Sequence, residues 1–137
     1  MGPGVIIEVP ECKINLGITG EFIKQQSIKA NDIVFFKTSN SKLPADKIAN
    51  TFVYLTPEGA YELLQKKVKI VGIDYFSVDD LAEEKLPTHN LLLKNNVLIV
   101  ENLYLKDIPA GCYSKMAIIP LNIPNMDGLP IRAFACK

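Results

Sequence analysis

An α/β fold, a mixed sheet with packed helices, is predicted by three observations on this sequence of 137 residues. Residues 5–9 and 33–36 are β-branched or aromatic and mostly apolar on both faces, the pattern of strands covered on both sides. A capped helix from about Thr56 separates the strand segments 52–55 and 69–73, and a strand, helix, strand order calls for a crossover with parallel pairing. The length is that of one ordinary domain, so residues 1–137 are expected to form a single domain.

Each element has a local reason. Pro10 closes the first strand, and Thr19-Gly20-Glu21 opens a brief helix to about Gln26. Asn31-Asp32 turns the chain into the second buried strand, after which residues 38–50, with Pro44, read as a polar connection. Thr56-Pro57-Glu58 supplies an N-cap, a proline at the first helical position and an acid at the positive helix end. Ala60, Leu63, Leu64 and Val68 repeat at helical spacing, with Glu62 and Lys66 expected as a solvent-facing pair one turn apart. A loop carrying Asp79, Asp80, Glu83 and Glu84 reads as a solvated stretch, and Thr88 as the cap of a short helix over residues 89–94. Residues 97–100, 116–121 and 131–135 are the remaining strands, the last two joined by a turn at Asn125-Met126-Asp127-Gly128.

Composition excludes whole classes of function. Fifteen Lys plus Arg against fifteen Asp plus Glu leave no net charge, so the electrostatic footprint of a nucleic-acid or anionic-membrane binder is missing. No run approaches eighteen apolar residues and residues 1–5 do not form a secretory leader, so a cytoplasmic protein is expected. Cys12, Cys112 and Cys136 are odd in number and widely spaced, which suits buried small residues in a reducing compartment. Phosphate-loop, complete dinucleotide, nucleophile-elbow and H-E-x-x-H motifs are all absent. His89 is the only histidine, so imidazole chemistry rests on it alone. Glu101 ends a strand twelve residues later, where chemistry in open α/β sheets gathers. An imidazole and a carboxylate suit zinc or manganese, but the pair falls short of the roughly three protein ligands of a catalytic zinc site, and on spacing alone surface residues are the favoured reading.

Five segments, in order, carry a resemblance: Gly2-Pro3-Gly4-Val5-Ile6-Ile7, Gly72-Ile73-Asp74-x-x-Ser77-Val78-Asp79, Thr88-His89-x-x-Leu92-Leu93, Val97-x-Ile99-Val100-Glu101-Asn102-Leu103 and Asp127-Gly128-x-Pro130-x-Arg132-Ala133. Together they resemble the cyclase or kynurenine formamidase-like metal-dependent hydrolases. The resemblance implies a swivelling β/β/α type of fold and a mono- or binuclear zinc or manganese site that activates water to cleave an amide or lactam bond of a small molecule. It makes His89 and Glu101 metal ligands, and places Asp74, Ser77 and Asp79 on a loop near the site. Asp127-Gly128 and Arg132 read instead as a turn entering a strand.

The family's H-x-G-T-H-x-D-x-P stretch does not occur in this chain, and its T-G after the second strand reads Thr38-Ser39. The chain is therefore expected to correspond to the C-terminal two-thirds of such a hydrolase. It should bind metal weakly, lack activity alone, need a complementing N-terminal segment, and self-associate through open sheet edges. The alternative expectation is a non-catalytic binding or oligomerisation module that keeps the fold.

Overall fold

The computed structural model describes residues 1–10, 16–44 and 48–137. Among the described residues, eight strands and three helices follow one another as β1 (Gly2–Glu8), β2 (Gly17–Ile18), α1 (Gly20–Lys24), β3 (Ile33–Lys37), β4 (Tyr54–Leu55), α2 (Pro57–Gln65), β5 (Ile70–Ile73), α3 (Pro87–Lys94), β6 (Leu98–Val100), β7 (Gly111–Pro120) and β8 (Ile131–Cys136). A 3-10 turn, Ser39–Lys42, falls within the connection after β3.

Six strands form one mixed sheet in the order β6-β5-β3-β1-β7-β8. The first four run parallel, while β7 is antiparallel to β1 and β8 antiparallel to β7. The α/β class therefore holds, with its parallel half built as the sequence pattern requires. Alternation along each strand divides the core between two faces. Val5, Ile7, Val34, Phe36, Val71 and Ile73 pack with Phe22 and Ile23 of α1, Ala60 and Leu63 of α2 and Leu92 of α3. Ile6, Ile33, Phe35 and Ile70 face the other way, against Leu105, Tyr113 and Met116. Gly4, in mid-strand, is required by a close approach: a β-carbon there would collide with the Ile33 carbonyl and the Met116 sulfur.

Several local expectations are corrected. The segment 52–55 is not a neighbour of β5; only Tyr54–Leu55 is a strand, and it pairs with β2 in a separate two-stranded parallel sheet. The crossover that carries α2 thus runs from β3 to β5. Glu62 and Lys66 do not pair with each other, because α1 lies alongside: Glu62 pairs with Lys24 at 3.4 Å and Lys66 Nζ donates to the Gln26 carbonyl. Cys112 and Cys136 are exposed rather than buried, on strands β7 and β8 that contribute no residue to the helix-side core, and Cys12 lies outside the described residues. Among the described residues, no helix is long and apolar enough to cross a membrane.

Candidate functional site

Parallel strands deliver their C-terminal ends to one edge of the sheet. Asp74 follows β5 there and Glu101 follows β6. The loop from Asp74 to α3 lies at the same edge, so the start of α3 faces the end of β6.

The start of α3 is not capped as its own sequence suggests. Leu86 occupies the N-cap in the left-handed region at φ 46° and offers no side-chain acceptor, while Pro87 has no N–H to satisfy. Thr88 lies within the helix rather than before it, fully buried, and its hydroxyl donates to the Leu55 carbonyl at 2.8 Å. Asp79 supplies the missing acceptor from nine residues upstream. Its Oδ1 accepts from the Thr88 N–H at 2.8 Å and its Oδ2 from the His89 N–H at 3.0 Å. Asp79 is only 2% exposed, so the loop expected to be solvated is buried at this residue while Glu83 and Glu84 remain exposed.

The same Asp79 Oδ2 lies 2.6 Å from His89 Nδ1. On the other side of the ring, His89 Nε2 lies 3.2 Å from Glu101 Oε1. Glu101 Oε1 also accepts from the Val78 N–H at 3.0 Å. Two carboxylates thus flank one half-buried imidazole. The hydrogen bond to Glu101 pushes the His89 pKa up to about 9, and Asp79 acts in the same direction, against the opposing effect of burial.

The other predicted site residues sit differently. Ser77 accepts from the Asp79 N–H at 3.1 Å and shapes the loop rather than touching the imidazole. Asp74 is 5% exposed, accepts from the Thr38 N–H and hydroxyl, both at 2.8 Å, and also from the Ser41 hydroxyl. Its carboxylate therefore closes the turn after β3, and among the described residues no hydrogen bond links it to His89 or Glu101. Thr38 also caps the 3-10 turn, its backbone extended and its hydroxyl accepting from the Asn40 N–H at 3.0 Å.

Glu101 also lines a cleft of about 1000 Å³ on the sheet face opposite the helices, together with Phe35, Leu103, Tyr113 and Arg132. A cleft of this size accommodates a small molecule. As donors, an imidazole nitrogen and a carboxylate oxygen suit a divalent cation such as zinc or manganese. They fill two positions only: among the described residues, no group of three or more His, Cys, Asp or Glu could hold a metal ion.

Comparison with known proteins gives a consistent answer. Residues 1–80 match the model of the family described as "Putative cyclase", a stretch that includes Asp74, Ser77 and Asp79 but not His89 or Glu101. A kynurenine formamidase from Salinibacter ruber is 32% identical over 133 residues, covering 97% of this chain and 61% of that protein. A solved structure described as a potential metal-dependent hydrolase with cyclase activity superposes with a TM-score of 0.87 at 34% identity, over 98% of this chain and 64% of its own. A predicted metal-dependent hydrolase from Bacillus stearothermophilus gives 0.86, also at 34% identity, over 98% and 62%. The chain thus spans a little over three-fifths of the length of these relatives. With 80 of its 137 residues matched by the family's model, this chain belongs to the cyclase family.

Proposed function

We propose that this chain is the C-terminal portion of a metal-dependent hydrolase that cleaves the amide or lactam C–N bond of a small molecule, and that His89 and Glu101 are two of its metal ligands. The observation that carries the reading is the convergence of His89 Nε2 and Glu101 Oε1 at 3.2 Å, from a helix start and a strand end, beside a cleft. When bound, zinc or manganese supplies a Lewis acid and acidifies water near neutral pH. The chain's own residues provide the rest. His89 and Glu101 present donors, Asp79 and the Val78 amide hold them, and the apolar wall of Phe35, Leu103 and Tyr113 receives the organic part of the substrate.

Two donors are fewer than the roughly three protein ligands a catalytic zinc site uses. The remaining ligands, on this reading, come from an N-terminal segment carrying H-x-G-T-H-x-D-x-P, and the isolated chain binds zinc weakly and is inactive. The reading is tested by supplying that segment from a relative in trans and assaying formamide hydrolysis with zinc. Activity that appears on mixing and disappears with His89→Ala supports it. Equal activity in His89→Ala, or no activity in a mixture that forms a stable complex, overturns it.

Self-association is also part of the proposal. Strand β8 is an outer strand of the sheet, and Ile119, Leu121, Met126 and Phe134 are exposed around it. The same apolar strip is what favours the second reading, a non-catalytic oligomerisation module, which the inactive-complex outcome would leave standing.

A further inference from the structure

We propose that Asp79 is a positioning residue for the His89 imidazole: it fixes Nδ1 as the protonated nitrogen and turns Nε2 toward Glu101, while the Val78 amide of the same loop holds the Glu101 carboxylate. The inference rests on the ligand roles given to His89 and Glu101 above. It adds a function for a loop that neither donor belongs to.

The geometry carries the argument. Asp79 is buried and accepts three N–H groups, from Thr88, His89 and the His89 ring, at 2.8, 3.0 and 2.6 Å. One oxygen, Oδ2, takes both the backbone and the ring N–H of the same residue, so the ring plane is locked relative to the first turn of α3. An ionised carboxylate can only accept, so Nδ1 keeps its proton whether the ring is neutral or charged, and Nε2 is the nitrogen that gives up its proton to face an electrophile. Outer hydrogen bonds of this kind set ligand tautomer and orientation, and losing one typically costs 10–100-fold in metal affinity. Glu101 is held from the same direction, since Val78 precedes Asp79 and donates to Oε1 at 3.0 Å. One stretch of three residues, 77–79, therefore grips both sides of the pair, with Ser77 bracing it through the Asp79 N–H.

Capping of α3 is the competing explanation for the same carboxylate, and one substitution separates the two. Asparagine caps helices about as well as aspartate, but it is uncharged and has one acceptor oxygen in place of two, so it cannot make a charge-assisted bond to Nδ1–H while both positions accept as in Asp79. Because His89 is the only histidine, isotope labelling of histidine yields a single imidazole in the NMR spectrum. In the wild-type chain we expect a downfield, exchange-protected Nδ1–H proton, the signature of a short charge-assisted hydrogen bond. In Asp79→Asn that proton should lose its downfield position while the α3 amide signals persist, and zinc affinity measured by calorimetric titration should fall about 10–100-fold. An unchanged Nδ1–H resonance together with unchanged zinc affinity overturns the inference. A measurement on the wild-type chain guards against an unfolded variant: nitrogen shifts at saturating zinc should show Nδ1 protonated and Nε2 bound, and the reverse overturns the inference. His89→Ala distinguishes the underlying reading, because zinc affinity equal to wild type there refutes the ligand roles instead.

Discussion

The Val78 N–H and Glu101 Oε1 meet at 3.0 Å, and that same oxygen faces His89 Nε2 at 3.2 Å. Residues from the loop after β5, the start of α3 and the end of β6 are thereby joined at one oxygen atom. Changing that carboxylate should be felt by the imidazole before anything else.

In the metal-free chain, His89 is raised to about 9 in the fold against 6.5 when unperturbed. The sign follows from linkage: a raised folded value favours the fold fully below pH 6.5, and the contribution fades as pH climbs through about 9. Urea unfolding with a chelator present should therefore show lower stability at pH 10 than at pH 6. Glu101→Gln should flatten that difference and move the His89 NMR midpoint down toward 6.5, because Glu101 is the largest cause of the shift. A midpoint that stays near 9 in Glu101→Gln would contradict this.

Asp74 satisfies the buried Thr38 amide and two hydroxyls. Asp74→Ala leaves that amide without its acceptor, and a loss of about 1–3 kcal/mol is expected in chemical denaturation. Zinc affinity should change far less than in His89→Ala, since Asp74 braces the turn at residues 39–42 rather than the imidazole.

Much of this architecture is legible in the sequence, and the reasons differ by element. Residues 5–9 and 33–36 announce buried strands because both of their faces are apolar, and α2 announces itself because its cap is local, with Thr56 Oγ1 accepting from Gly59 N–H at 3.1 Å. The cap of α3 is not legible, because its acceptor lies nine residues upstream in an acidic stretch that reads as solvated. The partition of Tyr54 and Leu55 away from the main sheet is equally hidden, since a two-residue parallel pairing with Gly17 and Ile18 leaves no periodic trace. His89 and Glu101 could be singled out by family signature and not by spacing. Asp79 was within reach of the same signature, but only its burial and its three donors show what it holds.

Gly4→Ala should be among the most damaging single-atom additions to this chain. Its β-carbon has nowhere to go between the Ile33 carbonyl and Met116, in a strand hydrogen-bonded on both sides. A loss of roughly 2–3 kcal/mol is expected, the scale of an overpacked core. Gly128→Ala, where a β-carbon meets nothing within 4 Å, serves as the matched control and should lie within about 0.5 kcal/mol of wild type.

Ile119 and Phe134 share a face of the β7–β8 pair, since Phe134 lies opposite Ala117 and Ile119 opposite Arg132. Both are exposed. Light scattering of the wild-type chain over a tenfold concentration range should show a species heavier than 15.2 kDa, and the double change Ile119→Lys and Phe134→Lys should shift it toward monomer. A wild-type monomer throughout that range would refute the self-association.

The central position of β1 has a consequence for how the chain is made. Gly4 pairs with Ile33 on one side and with Tyr113, 109 residues later, on the other. Strand β1 therefore keeps one bare hydrogen-bonding edge until β7, more than a hundred residues further along, has been translated. Sheet closure is a late event on the folding path, dominated by contacts between residues distant in sequence, and such folds form slowly and expose sticky strands meanwhile. In a cell, the yield of folded β1–β7 pairing should depend on chaperone supply and on the temperature of synthesis.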